Sequence, residues 1–370
     1  MPRIVIVTAS YGSGHNAAAR SVATAFERAG ADVTVVDHFR DLVHPLFDRA
    51  TRRLYYWILR RAPALWGMAY GLGDYMPSDS PWTFGMTAVG MAGMVRMLGA
   101  LRPDVVVTVH ATPAVVMSQL AARGIAVPRH TTVVTDFVAH SQWITRHADR
   151  YCVAAPEVRR EFIARGISAD RVIVTGVPIR AEFEQPMDAQ EARRALGLPA
   201  RRPVVLAMAG AQGSFGRLAD VARALTRVGG AVHGVIVAGA DARLAEDIRE
   251  ITAHTPIRTF GHVANVRQLM AAADVLVSKA GGMTLAEAMA AELPLVTYGS
   301  LPGQERRNER FASRAGVALA ARSPAELAAA LQRALGDSGV RERLRARMRR
   351  LGRPDASRRV VSAVLERAIR

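Results

Sequence analysis

Ile4-Val5-Ile6-Val7-Thr8-Ala9-Ser10-Tyr11-Gly12-Ser13-Gly14-His15 reads as a buried strand that runs into a glycine-bearing turn and then a helix. Ile4 to Thr8 show no alternation of apolar and polar residues, the pattern of a strand covered on both faces, as in parallel sheets. Ala18, Val22 and Phe26 then recur at helical spacing. Gly12 and Gly14 let the backbone approach a ligand, and the helix N-terminus behind them favours anionic groups. The stretch is not Gly-X-Gly-X-X-Gly, because His15 stands where the third glycine would allow close helix packing. A histidine at the mouth of such a turn is placed for acid–base work, with an unperturbed pKa of about 6.5. A structural role is the competing reading of a lone histidine.

The same grammar continues outward. Val33 to Val36, Val105 to Val109, Thr131 to Val134 and Val172 to Val174 read as further buried parallel strands. A second series follows at Val204 to Met208, Val235 to Ala238, Val275 to Val277 and Leu295 to Thr297, and Pro178 to Pro203 reads as the linker between the two. Two α/β series in tandem predict two doubly wound domains facing each other, with ligands at the carboxyl ends of the strands.

The chain has 370 residues and a formal charge of +17, and Lys279 is its only lysine. Such a charge fits a polyanionic partner, nucleic acid or anionic lipid. No base-reading module is legible, and the aromatic residues gather in one apolar segment rather than along a basic groove, so nucleic acid is not expected. Cys152 is the single cysteine, which excludes an internal disulfide and a cysteine-based zinc cluster. The N-terminus passes straight into a strand without the long apolar region of a signal peptide, which predicts a cytoplasmic protein.

From Leu54 to Leu101 no strand is legible. Tyr55, Tyr56, Trp57, Arg60, Arg61, Trp66, Tyr70, Trp82 and Phe84 alternate there with Gly and Met. Aromatic bodies with Arg52, Arg53, Arg60 and Arg61 among them suit a lipid–water interface, and an ordinary helical excursion over a core is the alternative. Pro81 to Ala100 is apolar, but Arg96 and four glycines break it, where a span needs about 20 clean apolar residues.

Three further motifs carry chemistry. Thr135-Asp136-Phe137-Val138-Ala139-His140-Ser141-Gln142-Trp143 follows an apolar strand, so Asp136 and His140 lie where such sheets place function. Their spacing equally suits a local capping pair. Ser278-Lys279-Ala280-Gly281-Gly282-Met283-Thr284-Leu285-Ala286-Glu287 offers backbone N–H groups and the Thr284 hydroxyl to a diphosphate. Glu287, one turn on, is placed for ribose hydroxyls or for a capping box with Thr284. Pro302-Gly303-Gln304-Glu305-Arg306-Arg307-Asn308 sets amide and carboxylate side by side at a helix start, a pair suited to sugar hydroxyls.

Taken with Thr175-Gly176-Val177-Pro178, Met208-Ala209-Gly210-Ala211-Gln212-Gly213 and Phe260-Gly261-His262-Val263, these motifs resemble glycosyltransferase family 28. The resemblance is to the branch of monogalactosyldiacylglycerol synthases and bacterial processive diacylglycerol glucosyltransferases, and it covers most of the chain. It implies an α/β GT-B fold of two Rossmann-like domains facing a central cleft. Residues 1–180, joined by a last helix over 355–370, would form the acceptor and membrane-associated domain, and residues 195–354 the UDP-sugar domain.

The resemblance also implies roles. His15 would deprotonate the acceptor hydroxyl, with Asp136 and His140 on the same side and Gly12 and Gly14 lining the acceptor loop. Gly210, Gln212, Gly213, Lys279, Gly281, Gly282 and Thr284 would hold the diphosphate. Val263 would hold uracil, Glu287 the ribose, and Gln304 and Glu305 the sugar, with Asn308 also among the donor-binding residues. Ala-Gly-Ala at 209–211 departs from the consecutive glycines of many members.

The implied reaction moves glucose or galactose from a UDP-sugar, with inversion, to diacylglycerol or a glycolipid. It would occur at the anionic inner face of the cell membrane, where the protein would be peripherally bound. The related alternative is transfer of N-acetylglucosamine to a muramyl lipid of peptidoglycan synthesis. No Asp-X-Asp triplet occurs, so neither a metal nor a cofactor is expected beside the donor.

Overall fold

The β-branched runs form two parallel sheets in a computed structural model that describes residues 1–76, 89–210 and 217–366. The first sheet comprises β1 (Arg3–Thr8), β2 (Asp32–Asp37), β3 (Val105–Thr108), β4 (Arg129–Val133), β5 (Arg150–Val153) and β6 (Val172–Val174), in the order β2-β1-β3-β4-β5-β6. Alternate residues of β1 serve opposite faces, as the pleat requires. Ile4 and Ile6 join Val22, Phe26, Val105 and Val107 in one core. Val5 and Val7 join Met94, Met97, Val116 and Leu120 in another. Helices therefore cover both sides, which is why the strand reads as an unbroken apolar run.

The second sheet comprises β7 (Val204–Met208), β8 (His233–Val237), β9 (Ile257–Phe260), β10 (Val275–Ser278), β11 (Leu295–Tyr298) and β12 (Ala318–Ala321), in the order β12-β11-β10-β7-β8-β9. The chain winds outward from β7 to β9, returns, and winds outward again from β10 to β12. The reversal lies between β7 and β10, and in the first sheet between β1 and β3. Ligands of doubly wound sheets bind at the carboxyl ends of strands at such reversals.

The chain divides into one unit of Met1–Ala181 with the segment from Arg353 onward, and a second of Glu182–Gly352. Helix Ala356–Leu365 belongs to the first, where Val360, Val361, Ala363 and Val364 pack in the same core as Val22 and Phe26. The Arg150 guanidinium donates to the Ala363 carbonyl at 2.7 Å, satisfying one acceptor of the helix's last turn.

Residues 189–196, inside the stretch read as linker, form a helix of the second unit instead. Asp188 caps it through the Glu191 N–H at 2.7 Å. The buried Arg193 donates to the Ala272 carbonyl at 2.9 Å and pairs with Asp274 at 2.7 Å, fastening that helix beside β10.

The stretch without strands is helical where it is described, over Pro45–Arg61, Pro63–Tyr75 and Met91–Leu101. Among the described residues no helix is long and apolar enough to cross a membrane. Gly93 lies against the chain at Leu42, so closely that an added Cβ would stand 1.9 Å from the Leu42 carbonyl oxygen. Gly93→Ala is expected to cost about 1–3 kcal/mol by overpacking against backbone. Gly99→Ala in the same helix meets nothing within 4 Å and serves as its control. Chemical denaturation of the two variants checks this, and equal midpoints would contradict it.

Candidate active site

In the first unit, the turn after β1 is built by side chains that hold one another. Gly12 is the extended N-cap of helix Ser13–Arg28 and supplies no side-chain cap. Asn16 donates to Ser10 Oγ at 2.9 Å and accepts from Thr8 Oγ1 at 3.0 Å, and Ser10 in turn donates to Asp37. This places His15 in the first helical turn, beside the end of β3.

His15 Nδ1 lies 2.9 Å from the Val109 carbonyl oxygen and 3.1 Å from Thr135 Oγ1. A carbonyl only accepts, so Nδ1 carries the hydrogen and the neutral ring presents its lone pair at Nε2. Burial pushes the His15 imidazolium below the usual histidine range, while the Asp136 charge and the Val109 hydrogen bond act in the opposite sense. The ring is thus a neutral base near pH 7, with a carboxylate to stabilise the cation formed when it takes a proton.

His140, expected in the same catalytic group, is committed elsewhere. Its Nδ1 accepts from the Gln142 N–H at 3.2 Å, and its Nε2 donates to the Tyr70 carbonyl at 2.9 Å. The ring also packs on Tyr70 with centroids 4.1 Å apart. With both nitrogens engaged, His140 clamps helix Pro63–Tyr75 to the loop after β4. Asp74 completes the clamp, accepting from the Ser141 N–H at 2.8 Å and from Arg165 at 3.0 Å.

The aromatic segment divides differently from the expectation. Tyr55, Tyr56 and Trp66 are half-buried and pack inward, Tyr55 against Tyr11, Tyr56 and Trp66. The outward face is Leu54, Trp57, Leu65, Met68, Leu72 and Tyr75, with Trp57 58% and Tyr75 88% exposed. Leu65, Met68, Leu72 and Tyr75 form one stripe of a helix that buries none of its residues. Arg60 and Arg61 are exposed. Arg52 is instead drawn to the buried Asp48 at 2.8 Å. Trp82 lies outside the described residues.

In the second unit, β10 ends at Ser278, whose hydroxyl donates to the Met208 carbonyl at 3.0 Å and ties it to the end of β7. Gly281 is the extended N-cap of helix Gly282–Ala290 and leaves the first-turn N–H groups without a side-chain cap. Thr284 therefore lies inside the first turn, so the capping box with Glu287 does not form. Glu287 is 3% exposed on the second turn. Gly210 has φ +77, and a Cβ there would lie 3.7 Å from the Lys279 side chain. Val263 is half-buried in the loop after β9, and Gln212 and Gly213 lie outside the described residues.

Lys279 Nζ pairs with Glu305 Oε1 at 2.7 Å, and Glu305 Oε2 accepts from the Leu301 N–H at 2.9 Å. Gly303, at φ +97, turns the chain into helix Gln304–Ala315, in which Gln304 is half-buried and Asn308 fully buried. The reversal between β7 and β10 thus gathers Gly210, Lys279, Gly281, Gly282, Thr284 and Glu305, a bare helix N-terminus with one ammonium beside it. That set suits a diphosphate.

The sequence profile of monogalactosyldiacylglycerol (MGDG) synthase matches residues 15–179, and that of glycosyl transferases group 1 matches residues 203–337. The chain is a two-domain glycosyltransferase whose first half resembles monogalactosyldiacylglycerol synthases and whose second half resembles glycosyl transferases group 1. It is similar to the processive diacylglycerol beta-glucosyltransferase of Bacillus thuringiensis (strain Al Hakam), with 29% identity over 99% of this chain and 94% of that one. The Bacillus cereus (strain ATCC 10987 / NRS 248) protein of the same description is also 29% identical, over 98% and 93%.

Solved structures place this glycosyltransferase in the GT-B fold. Acinetobacter baumannii MurG aligns over 98% of this chain and 99% of its own at 16% identity, with a TM-score of 0.64. The S. aureus MnaA–UDP structure aligns over 98% and 96% at 14% identity, with a TM-score of 0.66.

One histidine beside His15 escaped the sequence reading. His110 directly follows the carbonyl that orients His15, and the two rings lie edge to face with centroids 4.7 Å apart. Its signal was the same as that of His15, a histidine between an apolar strand and a helix, but no glycine marked the turn.

Proposed function

We propose that the enzyme transfers a hexose from UDP-glucose or UDP-galactose to diacylglycerol, or to a glycosylated diacylglycerol, at a membrane surface. The observation that carries this reading is the His15 ring, whose tautomer leaves Nε2 as a base beside the Asp136 charge. His15 Nε2 takes the proton of the acceptor hydroxyl as its oxygen attacks the anomeric carbon. The bond to UDP breaks on the opposite side, with inversion, and UDP leaves with the electron pair. Its new charge meets the first-turn N–H groups after Gly281, an electrostatic arrangement of the kind that lowers such barriers by several kcal/mol. Glu287 holds the ribose, Val263 the uracil, and Gln304 and Glu305 the sugar.

The test is incubation with diacylglycerol vesicles and labelled UDP-glucose or UDP-galactose, followed by lipid separation. Label in a glycolipid supports the reading. Label in lipid only when UDP-N-acetylglucosamine and a muramyl lipid are supplied would replace it.

Activity is expected to persist in excess chelator. The sequence holds no Asp-X-Asp, and no group of three His, Cys, Asp or Glu is arranged for a metal among the described residues. Loss of turnover with EDTA that magnesium or manganese restores would refute this.

Peripheral membrane binding is part of the proposal and rests on the outward face of Leu54, Trp57, Leu65, Met68, Leu72 and Tyr75. Arg53, Arg60 and Arg61 flank it, and each cation near an anionic surface contributes about 1 kcal/mol, screened by salt. Vesicle co-sedimentation is expected to rise with phosphatidylglycerol and to fall, without vanishing, in high salt. Leu65→Glu with Leu72→Glu should remove the salt-resistant part. Equal binding to neutral and anionic vesicles would sink the electrostatic half.

A further inference from the structure

We propose that His110 binds the acceptor beside His15, donating its Nε2–H to a second oxygen of the molecule whose hydroxyl His15 deprotonates. The inference rests on the acceptor class proposed above and adds to it a residue and a selectivity.

The end of β3 sets both rings. Val109 fixes His15 through its carbonyl, and His110 is the next residue along the chain. His110 Nδ1 accepts from the Thr112 N–H at 3.1 Å, so its lone pair is used there and a neutral ring carries its hydrogen on Nε2. His15 has the reverse arrangement, with the hydrogen on Nδ1 and the lone pair on Nε2. Neither Nε2 has a hydrogen-bond partner among the described residues, and both residues are half-buried rather than buried. Burial holds the His110 imidazolium well below the usual range, and His15 and His38 act in the same direction, so the ring stays neutral and its polarity is constant near pH 7.

Two adjacent imidazoles thus present a proton acceptor and a proton donor side by side. A lone alcohol would use only the first. Diacylglycerol offers both partners, because the carbon bearing the free hydroxyl adjoins one bearing an ester oxygen. A sugar already attached to the lipid offers the same pair through vicinal hydroxyls. Capping helix Ala111–Ala122 explains only Nδ1, and serine or asparagine fills that role better. The surplus is Nε2.

The test compares kcat/KM for transfer from UDP-glucose to diacylglycerol and to a long-chain primary alcohol in the same mixed micelles. It uses the wild type, His110→Ser and His110→Gln. Serine keeps the helix cap and removes the N–H, while glutamine returns an amide N–H at similar reach. The wild type is expected to prefer diacylglycerol. His110→Ser should lose about tenfold on diacylglycerol, one hydrogen bond's worth, with little change on the alcohol. His110→Gln should recover part of the preference, and UDP affinity should not move in either variant.

An equal loss on both acceptors would overturn the assignment in favour of a purely structural histidine, and no loss on either would remove His110 from the site. A wild type inactive on both acceptors, with UDP-galactose as well as with UDP-glucose, would instead refute the acceptor class, and this assignment with it.

Discussion

His15→Ala is expected to lower turnover about 10²- to 10⁴-fold, the usual range for loss of a general base, while UDP binding is retained. The groups proposed to bind the donor lie in the second unit and His15 in the first, so the two properties should separate cleanly. The pH profile gives the expectation a second edge. Burial lowers the folded His15 pKa, so the neutral base persists below the ordinary histidine value of about 6.5. Activity should therefore hold as pH falls through that value and decline only below it. Asp136 raises the His15 pKa, so Asp136→Asn should move the acid limb to still lower pH and reduce turnover, because the imidazolium loses its counter-charge. An acid limb that moves upward in Asp136→Asn, or normal turnover in His15→Ala, would remove the pair from the mechanism.

Glu287→Ala is expected to weaken UDP binding by about 1.5–3 kcal/mol, the range for hydrogen bonds to a charged group. The helix begins at Gly282, so Glu287 is too far along it to cap the N-terminus. In the proposed donor site its carboxylate accepts from hydroxyls of the bound ribose. Calorimetry with UDP measures the loss, and Glu287→Gln should recover part of it. Unchanged affinity together with a lower melting temperature would make Glu287 a structural residue instead.

Most of both sheets could be read from the residues because parallel strands buried on two faces are apolar without interruption. The strands that escaped lack that mark. β5 is four residues long and opens on Arg150, and β9, Ile257-Arg258-Thr259-Phe260, lies at a sheet edge, buries none of its residues and carries two polar ones at its centre. β12, Ala318-Leu319-Ala320-Ala321, is made largely of the strongest helix former and becomes a strand by pairing with β11.

Motifs held within one loop were legible, whereas pairings across loops were not. Lys279 meets Glu305 across 26 residues, and His15 meets Val109 across 94. The aromatic run shows the cost of reading composition without helical phase. Tyr55, Tyr56 and Trp57 are about 100° apart on a helix, so they cannot all face lipid. Two turn inward and only Trp57 looks out.

The return of the chain to its first unit has a consequence for biosynthesis. A ribosome completes the second sheet before it releases Val360 and Val364, which the first core requires. The part of the protein made earliest is thus the last to close, and until then Ile4, Val22 and Phe26 lack one wall of their packing. A premature stop near Arg353 would leave the second unit whole and strip the first of its final helix. The damage from late truncation falls on the beginning of the chain.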